Sequence, residues 1–196
     1  TEDCGSYLHE VLDDWVEKEV KPRLGGSCFL IRYADDVVMG FAREDDARRV
    51  LDVLPKRFGR YGLTLHPEKT RLVRFEKPKD GKPEPESFDF LGFTHISGKT
   101  RRGEFTIHRK TSRKKFRAKL LELKTELLRR KHDDLAQVGA WLQSVYRGCC
   151  QYYAVPGNYP RLQQFRDAIQ DMWLRTLRRR SQRGRCLTWV KFSKLF

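Results

Sequence analysis

The sequence predicts an α+β protein: an antiparallel sheet carrying two helices, followed by an all-α segment of three helices. Three observations support this. The stretch Phe29-Leu-Ile-Arg-Tyr33-Ala-Asp35-Asp36-Val-Val-Met-Gly40-Phe is a pair of apolar runs broken by adjacent carboxylates. Short runs rich in β-branched and aromatic residues around a polar break read as a β-hairpin, here with Asp35 and Asp36 at its tip. Helical apolar periodicity stands on both sides of that hairpin, and the last third repeats it in three separate stripes with basic residues between.

The first helix shows Tyr7, Leu8, Val11, Leu12, Trp15 and Val16 on one side, with Asp13 and Asp14 expected on a solvated face. It ends before Pro22 and Gly25-Gly26. The second helix is marked by Ala47, Val50, Leu51, Leu54 and Phe58. Its acidic opening, Glu44-Asp45-Asp46, suits the positive end of a helix. Pro55 inside the pattern is expected to kink or split it, and Gly59 and Gly62 to end it. Leu63 to Leu65 and Leu72 to Phe75 read as short strands around a His66-Pro67-Glu68-Lys69 turn. Two helices on one face of such a sheet make an α+β layer.

Glu76 to Ser87, with three prolines, a glycine and many charges, cannot bury a core and predicts a mobile surface loop. Phe88, Phe90, Leu91, Gly92 and Phe93 are expected to return the chain to the sheet. Residues 94–108 then suggest a hairpin turning between Ser97-Gly98-Lys99 and Arg102-Gly103. In the last third, Phe116, Leu120, Leu123 and Leu127 form one stripe, and Leu135, Val138, Trp141, Leu142 and Val145 a second. Leu162, Phe165, Ile169, Met172, Trp173 and Leu177 form the third. His132-Asp133-Asp134 separates the first two helices, and Gly157-Asn158 with Pro160 the last two. Helices with one apolar stripe each must bury it against one another, so a bundle follows, with Trp141, Phe165 and Trp173 as packing residues.

A chain of 196 residues, 39% hydrophobic and 12% aromatic, can bury a real core. No apolar run approaches a membrane span, and the first residues do not resemble a signal peptide. The five cysteines (Cys4, Cys28, Cys149, Cys150, Cys186) contain no Cys-x-x-Cys pair and read as reduced structural thiols. The five histidines are scattered and form no ligand pattern.

The net charge of +15 is unevenly placed. Residues 1–108 carry 19 Lys and Arg against 20 Asp and Glu; residues 109–196 carry 22 against 6. That concentration predicts a polyanionic partner, nucleic acid above all. Arg113, Lys114, Lys115, Arg117, Lys119 and Lys124 flank the first stripe and can track phosphates without reading sequence. Arg178, Arg179 and Arg180 open a second basic run, either a further contact or a mobile tail. Two adjacent anions at Asp35 and Asp36 repel unless a cation joins them, and hard Mg²⁺ prefers carboxylate oxygens with room left for water and phosphates.

Tyr33-Ala34-Asp35-Asp36 resembles the Tyr-x-Asp-Asp box of reverse transcriptases, in the Ala form common among group II intron-type enzymes. Gly62-Leu-Thr-Leu-His-Pro-Glu-Lys69-Thr70 resembles the next block of the polymerase palm, and Phe90-Leu91-Gly92-Phe93 the block after that. Residues 110–180, with Arg147-Gly148 and Tyr152-Tyr153, are similar to the maturase-type thumb. The blocks occur in the expected order and cover most of the chain.

The resemblance implies a partial palm over residues 1–108 and a basic helical thumb, or maturase-specific domain, over 109–196. It implies RNA-directed DNA synthesis, with Asp35 and Asp36 as catalytic ligands of Mg²⁺, or of Mn²⁺ in its place. Tyr33, Ala34, Lys69, Thr70, Leu91, Gly92 and Phe93 would border primer or nucleotide. The implied partners are intron or template RNA, a DNA primer and deoxynucleoside triphosphates, in the bacterial cytosol and without a membrane. The family supplies a further metal-binding Asp, the fingers and a Gln-Gly block upstream of the first helix. None is found in this sequence, and Thr1 to Ser6 is expected to match none of that region. This chain alone is therefore expected to be inactive, with the missing N-terminal portion as a further partner. No His/Cys-rich stretch is present, so DNA cleavage is not expected. Two other readings stay open: a non-catalytic RNA-binding maturase module, and a reverse transcriptase of a bacterial defence or retron-like system.

Overall fold

The computed structural model describes residues 7–78 and 85–193. The chain divides between Phe75 and Glu76 into two compact units, each with its own core.

In the first unit, helix α1 is wound as two π-helical segments, His9–Asp14 and Val16–Val20, and a short 3₁₀ turn, Lys21–Arg23, stops it at Pro22. Strands β1 (Cys28–Tyr33) and β2 (Asp36–Phe41) follow as an antiparallel hairpin, and α2 (Glu44–Arg60) closes the order. Val11, Leu12, Trp15, Val16 and Val20 of α1 pack with Val50, Leu54 and Phe58 of α2. Leu30, Met39 and Phe41 lie against that cluster, so one face of the hairpin carries both helices, as the periodicity predicts.

Pro55 does not split α2, which runs unbroken over 17 residues. A proline inside a helix costs about 3 kcal/mol, and burial of Leu54 and Phe58 beside it offsets that loss. Residues 63–65 and 72–75 form no strands. Leu63 and Leu65 instead meet their need for burial by packing on the core of the unit, which requires no backbone ladder. The predicted turn is present: the amides of Lys69 and Thr70 both donate to the His66 carbonyl, at 3.2 and 3.0 Å.

The second unit opens with a three-stranded antiparallel sheet in the order β3-β4-β5: β3 (Phe88–Phe90), β4 (Phe93–Lys99) and β5 (Phe105–Thr111). Phe88 to Phe93 therefore does not rejoin the β1/β2 sheet but founds its own. The β4–β5 turn sits at Thr100 to Glu104, overlapping the later part of the predicted stretch: the Gly103 amide donates to the Thr100 carbonyl at 2.9 Å, with Gly103 at φ +80. Ser97 and Gly98 are strand residues paired with Ile107 and Thr106. Residues 79–84 of the expected loop lie outside the described residues; 76–78 and 85–87 carry no helix or strand.

Helices α3 (Arg113–Arg129), α4 (Leu135–Tyr153) and α5 (Tyr159–Arg178) form the expected bundle. Asp134 caps α4, its carboxylate accepting from the amides of Ala136 and Gln137 at 2.9 and 3.1 Å. The core joins Leu123, Leu127, Val138, Leu142, Phe165, Ile169 and Trp173, with Trp141 partly buried against it. Leu135 is exposed, unlike the rest of its stripe, because it is the first residue of its helix. A short sixth helix, α6 (Trp189–Ser193), adds Phe192, which is fully buried against Trp173. Asn158 is fully buried at the start of α5. Its side-chain oxygen accepts from the Thr111 amide at 2.9 Å, and its nitrogen donates to Thr111 Oγ1 and to the Tyr153 carbonyl. That one amide joins the end of β5 to the loop between α4 and α5 and leaves no polar atom of its side chain unpaired.

Candidate catalytic turn and basic helices

The hairpin register fixes which side chains share a face. Tyr33 pairs with Asp36, Ile31 with Val38 and Phe29 with Gly40, so these six lie on the side away from the helices. Phe29, Ile31 and Tyr33 are at least half exposed, Tyr33 at 66%. The Phe29 ring lies flat over Gly40, where a Cβ would come within 2.2 Å of it, so only glycine allows that ring its place.

Ala34 and Asp35 make the two-residue turn. Ala34 has φ +53, the left-handed region that glycine normally fills in such turns. Asp35 and Asp36 are both exposed at the tip. The other face of β1 holds Arg32. Its guanidinium clasps Asp13 of α1 through both prongs, Nε at 2.9 and 3.0 Å and Nη2 at 2.7 Å. Its Nη1 donates to the Ala34 carbonyl at 3.2 Å. His9 Nδ1 lies 3.0 Å from the same Asp13 carboxylate. The hydrogen bonds from Arg32 hold the Asp13 carboxyl below the usual carboxylate range against the opposing effect of burial. Asp13 is thus an anchored, half-buried group rather than the solvated one its helical position predicts, whereas Asp14 pairs with Lys18 at the surface.

The donor set at the tip is hard oxygen, the chemistry of a Mg²⁺ or Mn²⁺ site. Among the described residues no cluster of three or more His, Cys, Asp or Glu is close enough to hold a metal ion. Two carboxylates alone would leave most of an octahedral shell to water or phosphate. Lys69 is exposed in the same unit, on the turn whose amides meet His66, with Thr70 half-buried next to it.

Leu91, Gly92 and Phe93 belong to the second unit and form its tight β3–β4 turn. Leu91 and Gly92 have φ +48 and +77, the pattern of a type I′ turn. Tyr152 and Tyr153 close over it. The Tyr152 hydroxyl donates to the Leu91 carbonyl at 2.9 Å, and both rings pack on Phe93, at 5.9 and 5.2 Å between centroids. A Cβ on Gly92 would stand 2.9 Å from the Tyr153 hydroxyl. The link from this turn to the tyrosine pair spans 61 residues and has no local sequence signal.

On α3, Arg113, Lys114, Lys115, Arg117 and Lys124 are exposed, while Lys119 is half-buried and donates to Glu122 at 2.8 Å. Arg178 donates to the Leu187 carbonyl, and Arg180 to the carbonyls of Asp133 and His132, so part of their capacity ties the bundle together. Arg179 is exposed. Burial, with Cys150 beside it, pushes the Cys149 thiol up to about 11, which makes it a structural thiol and not a nucleophile.

No curated protein and no solved structure matches the chain. The family match that exists takes in Cys4 to Ser6, a stretch the sequence alone leaves unmatched, and it crosses the boundary between the two units. Residues 4–95, with the Asp35-Asp36 turn inside them, match the family model for reverse transcriptase (RNA-dependent DNA polymerase).

Proposed function

We propose that the chain is part of a group II intron-type reverse transcriptase, an RNA-directed DNA polymerase that binds intron RNA or a template–primer duplex. The observation that supports this best is the pair of exposed carboxylates on a left-handed turn, inside the stretch that matches the reverse transcriptase family. Asp35 and Asp36 would hold Mg²⁺, or Mn²⁺ in its place. When bound, the ion supplies charge stabilisation at the phosphoryl group being transferred. The remaining roles belong to the chain's own residues. Tyr33 and Ala34 border the primer end, Lys69 and Thr70 meet phosphate, and Leu91, Gly92 and Phe93 hold the primer strand. Arg113, Lys114, Lys115, Arg117, Lys119, Lys124 and Arg178 to Arg180 track the backbone of the nucleic acid.

In this reading residues 1–108 are palm and 109–196 are thumb, a division that follows charge rather than hydrogen bonding. The partners are RNA, a DNA primer, deoxynucleoside triphosphates and the N-terminal fingers and palm portion. Among the described residues no helix is long and apolar enough to cross a membrane. The bacterial cytosol is the setting that the family resemblance implies.

Primer extension on an RNA template tests the reading, with the full chain alone and with the N-terminal portion supplied. Synthesis is expected in the complemented reaction, falling on the order of 10²-fold or more with Asp35→Asn. Unchanged synthesis by that variant overturns the catalytic assignment. RNA binding without synthesis in any arm favours the non-catalytic module.

A further inference from the structure

The hydrogen bonds around Arg32 form a continuous path from α1 to the turn. Asp13 fixes the guanidinium through two prongs, and the remaining prong reaches the carbonyl of Ala34, the residue before Asp35. Ala34 is the strained position, at φ +53 without glycine's freedom. Strained conformers persist where surrounding contacts over-determine them. The exposed carboxylates of Asp35 and Asp36 take their direction from that backbone.

We propose that Asp13 and Arg32 are positioning residues: a strut from α1 that holds Ala34 left-handed and so fixes how Asp35 and Asp36 present their carboxylates to a divalent cation. The inference rests on the catalytic reading of this turn. It adds two residues that touch neither the cation nor the substrate. Lysine cannot replace Arg32 here, because an ammonium lacks the rigid fork that serves two acceptors on opposite sides.

The test uses the full isotopically labelled chain with Mn²⁺ as the probe. Two quantities are read: Mn²⁺ affinity, from paramagnetic broadening at Asp35 and Asp36, and the Ala34 Cα and Cβ shifts, which report its backbone region. Arg32→Lys is expected to move the Ala34 shifts off their left-handed values and to weaken Mn²⁺ about five- to tenfold, with the cross-strand contacts of β1 and β2 intact. Adding Ala34→Gly, which adopts the turn without a strut, restores the affinity. Asp13→Asn removes the bidentate acceptor more gently and decides the matter if Arg32→Lys disturbs the hairpin. Unaltered Ala34 shifts and Mn²⁺ affinity in both variants overturn the proposal, and so does failure of the glycine to rescue. If the unmodified chain binds no Mn²⁺ while the Ala34 shifts still answer to Arg32 and Asp13, the strut stands and the metal reading falls.

Discussion

The turns at Ala34-Asp35 and Leu91-Gly92 solve one steric problem in two ways. Each joins two antiparallel strands through two residues, and each forces a non-glycine residue to positive φ, +53 at Ala34 and +48 at Leu91. At Leu91 the following residue is glycine, and an aromatic pair from α4 covers the turn and bonds its carbonyl. At Ala34 the following residue is Asp35, the support comes from beneath through Arg32, and the top is left to solvent. Covering a turn commits its carbonyl and one of its faces to side-chain contacts. Propping it from behind keeps two anions accessible, which is what a cation site needs.

Three substitutions break or sharpen this contrast, in decreasing order of effect. Gly92→Ala places a Cβ against the Tyr153 hydroxyl and demands positive φ of alanine, so it should destabilise the second unit by about 1–3 kcal/mol. Urea titration followed by tryptophan fluorescence measures this, and a loss under about 0.5 kcal/mol would mean that the tyrosine cover yields freely. Tyr152→Phe keeps the ring and removes the hydroxyl donated to Leu91, with an expected loss of about 1 kcal/mol. Mn²⁺ binding at Asp35 and Asp36 should not change, and a change would show that the two turns are coupled.

The smallest effect is on acid stability. Asp13 titrates below its ordinary range in the folded chain, foremost because of Arg32. A depressed carboxylate stabilises the fold fully above its unfolded value, about pH 4, and loses that contribution as pH falls through the lower folded value. Wild type should therefore exceed Asp13→Asn at neutral pH by about 1 kcal/mol or less, and the two should converge in acid. Parallel curves down to pH 2 would show that Asp13 is not linked to folding in this way.

Much of the fold was legible in the sequence because it rests on local periodicity. The stripes on α1 to α5 follow helical spacing in the sequence, and the β1–β2 hairpin is a pair of apolar runs broken by two acids. What failed depended on partners far along the chain. The run Leu72 to Phe75 has strand composition, but no short-range signal says whether a neighbouring strand is available. Phe88 to Phe93 carries no signal that it founds a separate sheet, for the same reason. Phe192 gives no sequence signal as a core residue because α6 has five residues, too few for a periodic stripe. At the turn, Asp35 and Asp36 were evident as neighbours, whereas the Asp13–Arg32 clasp joins residues 19 apart in different elements. Only the folded hairpin shows that Arg32 faces α1 while its neighbour Tyr33 faces solvent.

Asn158 has a consequence for how the basic helices behave in salt. Thr111 leads through Ser112 straight into α3, and Asn158 leads straight into α5, so one neutral amide orients the starts of both cationic helices together. Dissolved ions screen the pull of Lys and Arg on a phosphate chain, yet a buried uncharged hydrogen-bond node is indifferent to them. On the proposed nucleic-acid reading, raising ionic strength should loosen the hold on a polyanion while leaving the shape of the hand unchanged.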